Sequence, residues 1–163
     1  MTTNKRLILA DIGKERRFTF HGEFKKYGFK YNDHNKKYAA PTILLTNIQL
    51  ITPAKAIPMT DHLWFNLTKG FKSLGILQIG DKVQFNGRVA KYTKGYQGNN
   101  PNIHKPTQID YKLSHPTKVL LICGEKRLEW DEENWKICQR IYELYREDYI
   151  RRGIAKPYDW PFT

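Results

Sequence analysis

Residues Lys82–Tyr92 alternate with a period of two. Val83, Phe85 and Val89 fall on one face, with Gly87 in the same row; Gln84, Asn86, Arg88 and Tyr92 fall on the other. A half-buried β-strand needs this pattern and a helix cannot satisfy it. A second alternating run lies just upstream. At His62–Leu67, Leu63, Phe65 and Leu67 point one way, and His62, Trp64 and Asn66 the other. Between the two runs, Gly70–Gly75 predicts one helical turn or a compact loop, and Gly80-Asp81 a turn.

The rest of the chain supplies three more strand signals. Arg16–Lys30 reads as a long first strand in which Phe18, Phe20, Gly22 and Phe24 share one parity and Tyr27 and Phe29 the other. An inserted residue between Phe24 and Tyr27, a β-bulge, produces that switch, and Gly22 and Gly28 allow a strong bend. Thr42–Thr52 is the second strand; Pro53 and Pro58 end it and bracket a connector. Tyr111–Ile122 is the last, interrupted at Pro116. Two polar segments separate them: Tyr31–Ala40, with turn residues Asn32, Asp33 and Asn35, and Lys91–Lys112, a long loop rich in Gly, Asn and Pro.

After Gly124 the periodicity changes. Trp135, Cys138, Ile141, Tyr142, Tyr145 and Tyr149 recur at three and four, an amphipathic helix over Asp131–Arg152. Asp131 is its expected N-cap, Glu132 and Glu133 suit its positive end, and Gly153 is its expected C-cap. The organisation is therefore an N-terminal arm (residues 1–15), a strand-rich body (16–123), and a helix with a tail (124–163). The helix must pack on the body or on a partner, including a second copy of the chain.

Charge is segregated along the same boundary. The 163 residues carry a formal net charge of +12. Residues 1–123 hold 20 Lys and Arg against 7 Asp and Glu, a net of +13, while residues 124–163 hold 8 against 9, a net of −1. A basic body of this kind points to a polyanionic partner. Two cysteines, Cys123 and Cys138, make no disulfide framework and fit a reducing compartment; both read as small buried hydrophobes. No apolar run approaches the ~18 residues of a membrane span, and the N-terminus lacks the apolar core of a signal peptide. A cytoplasmic protein is expected, with no membrane partner.

Motifs for catalysis and cofactors do not occur. His21, His34, His62, His104 and His115 lack metal-ligand spacing, and there is no CxxC pair. No nucleotide-binding glycine loop or nucleophile elbow is present. Asp11, Glu15, Glu23, Asp33, Asp61, Asp81 and Asp110 are scattered, whereas a two-metal nuclease needs clustered carboxylates; Asp81 reads as a turn residue. The expectation is no enzyme, no metal and no cofactor.

Five strand signals with a short helical element after the third resemble the OB-fold, a mainly β, five-stranded Greek-key barrel. Leu77–Val89, LQIGDKVQFNGRV, looks like the turn and fourth strand of many OB domains. The resemblance spans residues 16–122, with the C-terminal amphipathic helix added. The most similar group is the single-stranded-nucleic-acid-binding OB proteins of phages and mobile elements. That resemblance implies a binding face on the second and third strands, framed by loops at Tyr31–Ala40 and Lys94–Asp110. Bacterial single-strand-binding proteins typically end in a flexible acidic tail, and this chain does not.

Binding a single strand takes aromatic platforms for bases and cations for phosphates. Candidate platforms are Tyr27, Tyr31, Trp64, Tyr92 and Tyr96; candidate phosphate contacts are Lys25, Lys26, Lys36, Lys37, Arg88, Lys91 and Lys94. Core packing would equally account for Trp64, loop anchoring for Tyr92 and Tyr96, and a solvated surface for any single lysine. Within an OB barrel, Trp64 and the loop residues lie nearer the usual binding face than Gln84, Asn86 or Arg88. The alternative expectation is a small phage-type protein, anti-CRISPR-like, that docks on a nucleic-acid-handling machine through its aromatic helix and tail.

Overall fold

The computed structural model describes residues 17–33, 35–94, 108–125 and 128–159. Five strands form one antiparallel sheet: β1 (Arg17–Tyr31), β2 (Ala39–Ile51), β3 (Ala56–Asn66), β4 (Lys82–Lys94) and β5 (Gln108–Cys123). Among the described residues three helices accompany them: α1 (Lys69–Lys72), α2 (Asn134–Leu144) and α3 (Arg146–Arg151). The sheet order is β3-β2-β1-β4-β5. Strands β1 to β3 form a meander and β4 returns to lie beside β1, which is a Greek key. Among the described residues β3 and β5 are the two edges of the sheet, which does not close through a β3–β5 ladder.

The sheet is nevertheless curled. Strands β3 and β4 are separated by β2 and β1, about 14 Å at the ordinary strand spacing. Yet Phe65 on β3 and Phe85 on β4 meet with ring centroids 5.3 Å apart. Phe71 of α1 stands against both, 5.7 Å from Phe65 and 6.2 Å from Phe85. At Gly70 an added Cβ would lie 3.1 Å from Val119 of β5. The single turn α1 thus touches elements at both ends of the sheet. Inside the curl lie Phe20, Ile43, Leu45, Ile48, Leu63 and Val83, all fully or almost fully buried.

The bend comes from β1. Its residues Arg17–Glu23 pair with β4, while pairing with β2 continues to Tyr31. The register with β2 shifts between Phe24 and Lys26. This is the bulge that the parity switch predicts: one inserted residue, Lys25, keeps Phe24 and Tyr27 on the core side. At Gly22 an added Cβ would come within 3.0 Å of Ile48, so the strands approach closely there.

Several expected boundaries move. Pro58 lies within β3 rather than before it, and Pro116 lies within β5, where the expected interruption takes the form of register shifts against β4 on both sides of Thr117. Both are edge strands, where a missing N–H leaves no ladder bond unmade. The segment Lys91–Lys112 is not all loop: Lys91 pairs with Tyr111 and Lys94 with Gln108. The expected helix divides in two at Tyr145, and its first part has Glu133, not Asp131, at the N-cap. Gly153 does end it, at φ 72°, with Gly153 N–H donating to Ile150 O and Ile154 N–H to Tyr149 O. These two bonds form a Schellman motif. Cys138 is buried as expected, but Cys123 is exposed.

The helices pack on the sheet. Ile137, Cys138 and Ile141 are fully buried, and Tyr158 Oη donates to Ala39 O and accepts from Ala39 N–H at the start of β2. Most of the apolar stripe is therefore buried within the chain, while Trp135 at its start stays exposed. No helix among the described residues is long and apolar enough to cross a membrane.

Phe85 joins both sides of the curl. Truncating it in Phe85→Ala should lower stability by about 3–5 kcal/mol, read as a reduced midpoint in urea unfolding with an unchanged slope.

Candidate nucleic-acid interface

Past Glu23, β1 has no β4 neighbour. Its far half, Lys26 to Tyr31, forms the floor of a groove of about 690 Å³. Trp64 of β3 stands on one side, Lys36 of the β1–β2 loop at one end, and Tyr145, Asp148, Tyr149, Arg152 and Ile154 on the helical side.

Trp64 is 45% exposed, although Leu63 and Phe65 on either side of it are buried. Alternation along β3 puts the indole on the outer face. Its position over β1 depends on a missing side chain: a Cβ at Gly28 would lie 3.2 Å from Trp64 Cζ3 and Cη2. Lys26 Nζ is 5.8 Å from the indole centroid, within cation–π range. An aromatic plate with an adjacent ammonium is what a base followed by its phosphate requires.

The groove is electropositive. Lys26, Lys30 and Lys36 have no ion-pair partner among the described residues. Asp148 is the one carboxylate in the lining, and Arg151 and Arg152 neutralise it at 2.9 and 3.2 Å. Hydrogen bonds from those two arginines hold its carboxyl below the usual carboxylate range. Burial pushes the Tyr149 phenol up to about 12, so it stays a neutral hydroxyl at physiological pH. Burial also raises the Tyr31 phenol.

The β1–β2 loop is built by Asp33. Its carboxylate accepts from Lys37 N–H at 3.0 Å and Tyr38 N–H at 3.1 Å. Those bonds lower its pKa, and they bring Lys36, Lys37 and Tyr38 together at one end of the groove. Tyr38 is 56% exposed with Lys37 Nζ 5.5 Å from its ring centroid.

The expected site residues separate into groups. Lys26, Tyr31, Lys36 and Trp64 line the groove together. Lys25 occupies the bulge and is exposed, and Lys37 is exposed on the loop. Tyr27 also borders the groove, yet it is only 2% exposed and packs on Phe24 and Trp130. Its hydroxyl accepts from Leu77 N–H at 2.8 Å. It is a core residue, and no base can stack on it. Arg88 is exposed but pairs in register with Arg17, at the opposite end of β1. Lys91, Tyr92 and Lys94 belong to β4 rather than to a loop. Tyr96 lies outside the described residues.

The sequence reading missed Lys30, Tyr38 and the helical wall. The Tyr142, Tyr145 and Tyr149 spacing was legible as an apolar stripe. What hid their role was where the stripe lands: Tyr149 against Phe29 at 5.1 Å, and Tyr145 Oη accepting from Tyr27 N–H at 3.1 Å. Among the described residues no cluster of His, Cys, Asp or Glu is arranged to hold a metal ion. Comparison with protein-family models, with curated proteins and with solved structures gives no match to this chain.

Two measurements check this geometry. Gly28→Ala should tilt the indole off β1, changing the nuclear Overhauser contacts of Trp64 while leaving the remaining strand contacts in place. The Asp33 clamp should depend on pH. The folded pKa lies below the unfolded value of about 3.9, so the clamp is at full strength above that value and is lost as pH falls through the folded one. The amide shifts of Lys37 and Tyr38 should hold steady down to about pH 5 and then move with a midpoint below the ordinary aspartate value. In Asp33→Asn that titration should vanish.

Proposed function

We propose that this chain is a non-enzymatic, OB-type protein that binds single-stranded DNA or RNA in the groove between Trp64 and the C-terminal helices. The observation that carries the reading is the half-exposed Trp64 indole seated over Gly28 beside Lys26. An isolated exposed tryptophan is unremarkable, but one aligned by a glycine and flanked by three lysines without ion-pair partners suits a base and its backbone. The Greek-key order supports an OB-type barrel, with α1 bringing the two edges of the sheet together. The concentration of charge in the sheet-forming part supports a polyanion as partner. A role in the cytoplasmic DNA metabolism of a phage or mobile element follows from the resemblance of the Leu77–Val89 stretch and strand order to that group.

On this reading Tyr31 and Trp64 contact bases, Lys26, Lys30 and Lys36 contact phosphates, and Lys37 adds charge at the rim. Fluorescence anisotropy should show micromolar or tighter binding to a labelled dT20 or rU20 at low salt. Binding should weaken steeply with salt, as release of counterions from the strand requires. Trp64→Ala should cost about 1–3 kcal/mol of binding, and Trp64→Phe less. Duplex DNA and structured RNA serve as competitors. If no single strand binds at low salt, or if Trp64→Ala binds as well as the parent, the proposal is wrong.

A further inference from the structure

The near half of β1 carries a second cationic feature, remote from the groove. Arg17 and Arg88 are direct register partners on β1 and β4, and both are exposed. Like charges directly opposite one another on neighbouring strands repel. Arg17 Nη1 donates to His115 O at 2.8 Å, which fixes that guanidinium but does not neutralise it. Arg88 has no ion-pair partner among the described residues. Two exposed arginines at directly paired positions on one sheet face suit a phosphate, which a guanidinium can bind in a fork.

The surface between this pair and the groove is continuous and polar. Thr19 is hydrogen-bonded to Asn86 at 2.8 Å and His21 to Gln84 at 2.9 Å, in the two rows that follow Arg17–Arg88 along β1. Across the bulge the same outer face continues to Lys26, Gly28 and Trp64. The row after these is the Glu23–Lys82 ion pair at 3.7 Å, so between the cations at the two ends run two neutral hydrogen-bonded rows and one carboxylate already paired with a lysine. Lys26 lies nine positions after Arg17 on β1, about 30 Å if fully extended and less with the bend.

We infer that Arg17 and Arg88 form a second phosphate-binding subsite, and that one single strand runs lengthwise over the outer face of β1 from the Trp64 groove to this pair. The inference rests on the single-strand reading of the groove and adds a path and a length requirement. Only a strand that spans both features engages both. At about 3.4 Å per stacked nucleotide, the span corresponds to roughly nine nucleotides, fewer if the strand is stretched.

The test compares dT4 with dT20 on the full chain, with Trp64→Ala, Arg88→Ala, Arg17→Ala/Arg88→Ala and the off-path control Lys136→Ala. Thermal melting checks that each variant folds as the parent does. Trp64→Ala should weaken both oligonucleotides. Arg88→Ala and the double variant should weaken dT20 alone, and the double variant should flatten its log–log salt slope by about 0.7, the value for one phosphate contact on a single strand. Lys136→Ala should change neither. The inference is overturned if the arginine variants weaken dT4 and dT20 alike, if Lys136→Ala mimics them, or if dT20 is insensitive to them. In each of those cases Trp64-dependent binding of dT4 would leave the groove reading intact. Absence of binding to either length would remove both.

Discussion

Tyr27 holds the fold together through three attachments. Its N–H, on the side of β1 that β4 has left, donates to Tyr145 Oη. Its ring packs edge-on against Trp130 at 4.8 Å and against Phe24 at 4.6 Å. Its hydroxyl accepts from Leu77 N–H in the segment leading to β4. A strand that changes partner midway leaves backbone groups that must be satisfied when buried. Tyr145 supplies one such partner, and it does so from the break between the two C-terminal helices. The helices are thereby an integral cover for the half of β1 that the sheet abandons.

That cover also determines what remains open. With α2 and α3 seated on one side of β1, the outer face carrying Lys26, Gly28 and Lys30 is left to solvent, bordered by Trp64. The bulge at Lys25 matters twice. It keeps Tyr27 in the core, and it turns Lys26 and Gly28 outward in line with Thr19 and His21. Without the inserted residue the far half of β1 would present Tyr27 to water and turn Lys26 toward the core, which the desolvation of an ammonium forbids.

Much of this was legible in the sequence because period-2 alternation and its one interruption are local signals. The five strands, the bulge and the Gly153 cap follow from residue parity and glycine placement. Trp64 was ambiguous for a physical reason. A tryptophan beside two core residues can be either core of a second layer or surface, and only the empty space above Gly28 decides. Tyr27 was misread as a platform because its parity partner Phe29 and the neighbouring lysines suggest an exposed aromatic strip. Its burial depends on Trp130, more than a hundred residues away, which no local pattern reveals. The extent of β4 and β5 was underestimated because Gly, Asn and Pro between Lys91 and Lys112 weaken strand propensity, whereas cross-strand pairing carries both strands further.

The charge segregation seen along the chain acquires a structural meaning at the ion pairs. Glu143 pairs with Arg146 and with Lys156, and Asp148 with Arg151 and Arg152. These exposed pairs contribute little to stability. Their consequence is electrostatic: Glu143 and Asp148 are occupied by cations of their own segment and do not neutralise the groove beside them. Lys26, Lys30 and Lys36 therefore keep their full charge beside an acidic residue that is already satisfied. A helix bearing free carboxylates at the same place would have cancelled the field at Trp64. Packing requires only the apolar stripe of the helices, so the internal pairing of their charges is what allows them to wall a cationic groove.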